Sequence, residues 1–404
     1  MNSYASLLLS RLLGLAASAG ALALAGRCLG DAELVRFLVA LALLHISTQA
    51  ASLGFPSMAL AEQARGRPAA LVLAQLAPRI RRRWLLAAGA FATALFLLEG
   101  TAAPGLFLLV PLHALLQLQL AASPSLVHGR GRPLAWAEIS ARLLSLGLAG
   151  SLYLAGHGGS GLWAFSFAVG SLLPPLFLAA QMPRELRRAL YRRSNPPTPL
   201  LRPAALRELV LGEAARSLYL QGPHLLLRGL REPSYPALGS ALRLTSISYM
   251  APNVVSTLIL GPLGRLPRRQ AQSQVLRLLP LLALLGVAGA LVLSLGAESW
   301  IALFFPNLEQ AAETSAALAW LAWTLPAVCL SSLLLPYLLA QQCEARVRSI
   351  SLLGLGVLGV LLALLGTAAP ATAQALLACE LSVALGALLS FLQERAGEAA
   401  PVGQ

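Results

Sequence analysis

The sequence predicts an all-α polytopic membrane protein, with about twelve transmembrane helices arranged as two six-helix lobes. Three observations predict it. The chain is 57% hydrophobic and only 11% charged, far from the composition of a soluble domain of this length. Its apolar runs approach the roughly 20 residues needed to cross a hydrocarbon layer. The connections between them alternate in charge. Those at 63–83, 128–133, 183–207, 263–277 and 340–348 are rich in arginine, and those at 28–35, 99–104, 156–160, 229–236, 297–313 and 367–371 carry little positive charge. Basic residues in short loops stay on the cytoplasmic side, so the alternation reads as a topology with both chain ends in the cytoplasm.

The first span, 5–26, includes Ala21–Gly26, which looks like a signal-peptide cleavage region. No basic segment precedes it and its only early charge, Arg11, lies inside the apolar run, so it reads as a span. The runs 36–61, 84–101, 105–127, 134–155 and 161–182 follow, giving an N-terminal lobe over 1–182. The basic connection 183–206 holds Pro196, Pro197, Pro199 and Pro203; proline cannot continue a helix and favours an extended linker. The span 207–227 is interrupted by Glu208, Glu213, Arg216, Gln221, Pro223 and His224. Discarding it would place the later basic loops outside, so the charge rule keeps it. The runs 237–262, 276–297, 314–338, 349–367 and 371–392 complete a C-terminal lobe over 207–392, with a cytoplasmic tail at 393–404. Six is even, so the lobes share one orientation and a pseudo-two-fold along the membrane normal is expected. The stretch 298–313 is too polar to span, and Trp300, Phe304 and Phe305 suit an interfacial anchor on the outer face.

The net charge of +14 would suggest nucleic acid in a soluble protein. Here the basic residues sit at membrane edges beside anionic lipids, and no nucleic-acid partner is expected. Cys28, Cys329, Cys343 and Cys379 lack metal-ligand spacing, so neither a metal nor a disulfide framework is expected. No nucleotide-binding loop or catalytic constellation is legible, and no cofactor is expected.

Ionisable groups inside a span cost a few kcal/mol each and face a bundle interior or water. Arg11 lies about 9 Å into the first span at 1.5 Å per residue. His45, Gln49 and Ser52 share a face of the second, and His113 and Gln117 one of the fourth. Glu138, Arg142 and Ser145 line one face of the fifth span, and Glu213, Arg216, Gln221 and His224 cluster on the seventh. Gly239, Arg243, Ser246, Asn253 and Thr257 follow a helical period along the eighth, and Glu380 is near mid-depth in the twelfth. Bland readings stay open beside these. Arg11 can snorkel, Glu138–Arg142 and Glu213–Arg216 can be structural pairs, and the histidines can be packing residues. The stripe on the eighth span should face an aqueous cavity, because lipid-facing polar groups at a sustained period are expensive. Arg11, Arg142, Arg216 and Arg243, with Gln49 and Asn253, would line a net cationic cavity suited to an anionic ligand. Arginine binds diphosphate through forked, charge-assisted hydrogen bonds. Glu138, Glu213 and Glu380 are the candidates for ion coupling.

The stretches Ser10-Arg11-Leu12-Leu13-Gly14, Ala25-Gly26-Arg27-Cys28-Leu29-Gly30 and Ala51-Ser52-Leu53-Gly54-Phe55-Pro56-Ser57 resemble the opening of bacterial polysaccharide flippases. These include the O-antigen repeat-unit flippases of the multidrug/oligosaccharidyl-lipid/polysaccharide (MOP) exporter superfamily. Leu303-Phe304-Phe305 and Leu338-Leu339-Ala340-Gln341 ahead of Arg346 agree. The resemblance implies a MATE-like fold and alternating access around a central cavity. The implied cargo is a polyprenyl-diphosphate-linked oligosaccharide crossing the inner membrane for surface polysaccharide biosynthesis, with membrane lipids, a polysaccharide polymerase and glycosyltransferases as partners. Many relatives carry an Asp in span seven, where this chain has Gln221-Gly222-Pro223-His224. The related lipid II flippases carry more cavity arginines near the end of span two, where this chain reads Met58-Ala59-Leu60-Ala61-Glu62. A multidrug or ion antiporter of the same superfamily, a polymerase- or ligase-type membrane enzyme, and a non-transporting scaffold are the alternatives.

Overall fold

The computed structural model describes residues 3–52, 55–64, 66–78, 131–191, 203–230, 233–249 and 262–399, with isolated positions 93, 252 and 259. The expected spans 84–101 and 105–127 lie outside the described residues. Among those described, the chain is helical with no strand.

In the N-terminal part, α1 (Ser3–Cys28), α2 (Asp31–Ser52), α3 (Phe55–Ala64), α4 (Ala69–Pro78), α5 (Gly131–Leu154), α6 (Ser160–Gln181) and α7 (Arg184–Tyr191) follow one another. The C-terminal part comprises α8 (Pro203–Gly229), α9 (Tyr235–Ser248), α10 (Arg268–Leu295), α11 (Ala297–Phe304), α12 (Ala311–Ala322), α13 (Thr324–Ala340), α14 (Glu344–Leu365) and α15 (Ala369–Ala399). Four stretches among the described residues are long and apolar enough to cross a membrane: α10, α12 with α13, α14, and α15 through Arg395. The shortest, α14 with 22 residues, reaches about 33 Å, enough for a core of about 30 Å.

Helix ends follow local chemistry. Asp31 and Glu33 lie in the first turn of α2, where negative charge suits the helix dipole. Pro203 opens α8 and Pro236 sits in the first turn of α9, positions whose N–H groups have no intrahelical acceptor. The helix α14 ends at Gly366, whose φ of +83° strains any residue with a Cβ. Despite Pro223, α8 is one continuous helix.

Two expectations change. The connection 183–206 is not extended throughout: Pro183 precedes the helix α7, and Pro203 begins α8. The prolines Pro196, Pro197 and Pro199 fall in the undescribed part between them, so the propensity argument had no hold on 184–191. The second change concerns the aromatic anchor. Trp300 is part-exposed, but Phe304 and Phe305 are buried, because a neighbouring helix rather than lipid covers them.

Packing divides by sequence. In the N-terminal set α1 packs on α5, and α6 on α5 and α2; in the C-terminal set α8 packs on α14, α14 on α15, and α13 on α10 and α15. The sets meet where α2 lies against α8 and α9, and where α1 lies against α9 and α11. One cluster of buried side chains gathers only helix ends that face arginine-rich connections: Phe55 and Met58, Leu73 and Leu76, Ala135, Leu178 and Met182, Ala189, and Leu209. Arginine-poor ends meet elsewhere. Asn307 Nδ2 donates to the Arg27 carbonyl at 3.4 Å, and Gln310 Nε2 to the Pro233 carbonyl at 3.0 Å.

At the arginine-poor end the seam between the sets is made at backbone distance. A Cβ on Gly26 of α1 would sit 2.0 Å from the Phe304 carbonyl oxygen of α11 and 2.7 Å from Phe305 Cδ1. Nearby, Glu33 of α2 stands in for a missing cap on α6. Gly159 provides no side-chain cap, and Glu33 Oε2 accepts the Ser160 N–H at 3.0 Å while also pairing with Arg36. Partial burial pushes the Glu33 carboxyl up, but the Ser160 hydrogen bonds and the Arg36 charge together outweigh it and hold it below the ordinary carboxylate range.

Replacing Gly26 by Ala should force this seam apart, with a cost of about 1–3 kcal/mol from overpacking. Thermal unfolding in detergent checks it, and a cysteine cross-link between positions 27 and 307 should form more slowly than in the parent chain. Unchanged melting and cross-linking would contradict the close approach. For Glu33→Gln the sign follows from the lowered carboxyl. Its stabilising contribution is present above the unfolded value of about 4.3 and is lost as pH falls through the lower folded value. The melting difference between parent and Glu33→Gln should be present at neutral pH, shrink below about pH 4 and vanish on protonation; a difference constant from pH 7 down to about pH 3 would refute the cap.

Candidate functional site

The candidate side chains fall into two groups. The first lies at the seam. On α5, Glu138, Arg142 and Ser145 recur at i, i+4 and i+7, so they share one face. The Ser145 hydroxyl donates to the Ser166 carbonyl of α6 at 2.6 Å and fixes that face against its neighbour. The aliphatic stem of Arg142 lies over α1, with Cγ 3.4 Å from where a Gly14 Cβ would sit. Across the seam, the Arg243 guanidinium of α9 rests over the Phe167 ring of α6 at 5.4 Å, within the range of a cation–π contact. Phe167 in turn packs edge-on against Phe37 of α2 at 5.3 Å. Arg142 and Arg243 are near enough for their charges to repel. Arg243 Nε is buried without a hydrogen-bond partner, and no carboxylate among the described residues pairs with this side chain. Two guanidinium groups thus converge on one place with an unused donor between helices.

The second group lies within the C-terminal set. Glu213, Arg216 and Tyr219 are successive i+3 positions on α8. Arg216 interacts with the charges of Glu213 and of Glu380 on α15, and reaches the Tyr219 hydroxyl. Glu380 and Tyr219 are buried. Tyr219 is enclosed by Gly354 of α14, whose added Cβ would lie 3.6 Å from the ring and 3.3 Å from Cys379 Sγ. At the far side the Tyr249 hydroxyl contacts Thr324 Oγ1, which donates to the Leu321 carbonyl at 2.5 Å; Glu380 acts electrostatically on Tyr249 as well. Arg216 thus feels the charges of two carboxylates, whereas no carboxylate among the described residues pairs with Arg243.

The other expectations resolve unevenly. His224 is buried with Nδ1 3.2 Å from the Tyr235 hydroxyl and its ring edge-on at 6.0 Å, the arrangement of a packing hydrogen bond. In the stripe along α9, Gly239 is buried against Leu38 and Tyr235, and Ser246 donates back to the Arg243 carbonyl at 2.8 Å. That end of the stripe serves helix contact rather than an open cavity. Arg11 lies in α1, and His45 and Gln49 in α2, but their side chains fall outside the described residues, as do His113, Gln117, Asn253 and Thr257 altogether. Among the described residues no group of His, Cys, Asp and Glu could hold a metal ion, and the four cysteines are free. Phe167, Tyr249 and Thr324 escaped the sequence reading. An aromatic or a hydroxyl in an apolar run carries no signal until its neighbours are known, whereas Tyr219, three residues beyond Arg216, was findable from spacing.

No family model and no curated protein matches the sequence. Solved structures match it over nearly its whole length. A MATE-family multidrug resistance transporter of the MOP superfamily, in an inward-facing conformation, aligns with a TM-score of 0.64 and 12% identity over 98% of this chain and 100% of that one. The Vibrio cholerae MATE transporter VcmN gives 0.66 and 14% over 98% and 96%. The lipid II flippase MurJ, in an inward closed conformation, gives 0.67 and 14% over 96% and 87%.

Arg216 supplies the test of the second group. Replacing it by Ala removes the positive charge that faces the buried Glu380 and should lower stability. Replacing Arg216 and Glu380 together by Gln should recover most of that loss. Melting temperature and folded yield in detergent report both; a single variant as stable as the parent would show that these charges do not pair. With its helical assembly superposing on such proteins from end to end, the chain has the fold of the MATE transporters and is a polytopic membrane protein.

Proposed function

We propose that the chain is a flippase. It carries a polyprenyl-diphosphate-linked oligosaccharide from the cytoplasmic to the periplasmic leaflet of a bacterial inner membrane, for surface polysaccharide biosynthesis. The observation that carries this reading is the convergence of Arg142 and Arg243 at the seam, with a buried Arg243 Nε that no described group satisfies. A buried guanidinium donor without a partner is costly unless an anion or water meets it. A diphosphate supplies two adjacent anionic groups for two forked donors. The lipid tail stays in the bilayer while the headgroup crosses between the sets.

In this reading Arg11, Gln49 and Asn253 extend the headgroup contacts. The Glu213–Arg216–Glu380 group is the ion-coupling element, with Glu138 beside Arg142 as its counterpart in the N-terminal set. Alternating access follows from two lobes, 1–182 and 207–392, rocking around the seam. Loop charge places both ends in the cytoplasm, and glycosyltransferases and a polymerase would supply and consume the cargo. The reading assigns no catalysis to the chain.

The fold alone leaves the cargo open, since its neighbours include proteins named as a multidrug transporter and as a lipid II flippase. A multidrug antiporter is the second reading, favoured by the excess of carboxylate over guanidinium around Glu380. It would leave Arg243 dispensable.

The assay is restoration of surface polysaccharide in a flippase-null strain, with membrane protein levels measured alongside. Arg243→Ala should lose a charge-assisted contact of roughly 1.5–3 kcal/mol, or about ten- to a hundred-fold in flux. Arg243→Lys should rescue in part, because it keeps charge but not the fork. Full export by Arg243→Ala and by Arg142→Ala at normal abundance would sink the proposal.

A further inference from the structure

Most arginines at the arginine-rich end that the structure shows in ion pairs are committed to a carboxylate of this chain. Arg67 pairs with Glu62 at 2.8 Å and Arg348 with Glu208 at 2.5 Å. Arg268 and Arg346 both pair with Glu394, the latter at 2.6 Å. The helix α7 is different. Arg184, Arg187 and Arg188 are all exposed, and among the described residues none of the three pairs with a carboxylate.

Their spacing gives α7 two faces. Positions 184, 187 and 188 stand at i, i+3 and i+4 and share one side of the helix, while 186 and 189 lie on the opposite side. That opposite side is anchored: Ala189 is buried, and Leu186 packs against the same cluster as Leu178 of α6, Met182 just beyond its end and Ala135 of α5. Only Met182 and Pro183 separate α7 from the end of α6, so its first Cα is at most about 11 Å from the last Cα of a helix that covers the expected span 161–182. Trp136, beside Ala135 at the same end of α5, is 65% exposed, as suits a residue at a membrane–water boundary. The helix is thereby held along the headgroup layer with its cationic face turned away from the protein.

We infer that α7 is a docking surface for anionic phospholipid, with Arg184, Arg187 and Arg188 binding headgroup phosphates in the leaflet at the arginine-rich end. Depth selects lipid over a soluble acidic partner. The helix is too close to the end of α6, and too firmly seated by Leu186 and Ala189, to lift its basic face into bulk water. The same cluster receives Leu206, Leu209 and Val210 of α8 and Leu339 of α13, so bound lipid would brace the place where the two helix sets meet at this end.

The test uses the full-length protein in an uncharged detergent, titrated with dioleoylphosphatidylglycerol and in parallel with dioleoylphosphatidylcholine, counting lipid adducts by native mass spectrometry. Phosphatidylglycerol should bind at least about tenfold more tightly, at about fivefold for each basic residue engaged. The triple variant Arg184→Gln/Arg187→Gln/Arg188→Gln should lose most of that preference, and the corresponding triple Lys variant should keep most of it, since the attraction is one of charge. Inorganic phosphate at millimolar concentration should not displace the lipid. Equal binding of both lipids, full preference in the triple Gln variant, or displacement by free phosphate would each overturn the inference. Where the triple variant melts below the parent, the single Gln variants decide: graded losses of preference support the surface, and unchanged preference in all three rejects it. The readout requires no transport, so it stands or falls separately from the flippase reading.

Discussion

Arg142 and Arg243 carry like charge toward each other inside an assembly whose neighbouring side chains are almost all apolar. Each position is fixed by several helices. Arg142 lies over Gly14 of α1, and its helix is tied to α6 through Ser145; Arg243 rests on Phe167, which rests on Phe37 of α2. The ring quadrupole of Phe167 offsets part of the cost of burying the Arg243 charge, and Arg243 Nε keeps a hydrogen bond in reserve.

The C-terminal set meets the same problem differently. Glu213 and Glu380 bracket Arg216, and Tyr219 supplies a further polar contact. A buried pair of this kind seldom adds net stability over apolar packing, but removing one partner is costly. That asymmetry makes the cluster poor at binding a foreign anion and good at tying α8 to α15. It holds two carboxylates against one guanidinium, and the natural complement of that excess is a small cation or a proton. Anion at the seam and cation within the set would then occupy separate places, joined by α8, which belongs to the cluster and also packs on α2.

Much of this was legible in the sequence. The apolar runs anticipated the helices long enough to cross a membrane in the C-terminal part, α10, α12 with α13, α14 and α15, because hydrophobic length is a local property. The i, i+4 register put Glu138 with Arg142 on a shared face, and the i, i+3 register put Glu213 with Arg216. What could not be read depended on contact between distant segments. Nothing local tells that Phe304 and Phe305 turn onto Gly26 rather than into lipid, or that Phe167 lies beneath Arg243. The charge that faces Arg216 from another helix comes from Glu380, 164 residues beyond it in the chain. The helix α7 was missed for another reason: the prolines that argued for extension begin at Pro196, five residues after α7 has ended.

The two ends of the seam are built from different materials, and that bears on how such a fold can move. At the arginine-poor end the contact is steric and close, a glycine against a backbone carbonyl, with amide hydrogen bonds from Asn307 and Gln310 around it. Such a contact has little tolerance for sliding and separates as a unit. At the arginine-rich end the sets share an aliphatic cluster of Met, Leu and Ala side chains, which has no directional bonds and can repack at small cost. A hinge-like opening is easier where packing is adaptable, and a latch is sharper where geometry is exacting. Between them sits Arg243, and under the flippase reading an anion held there would couple occupancy to both ends through the helices that carry it, without requiring any long-range pathway.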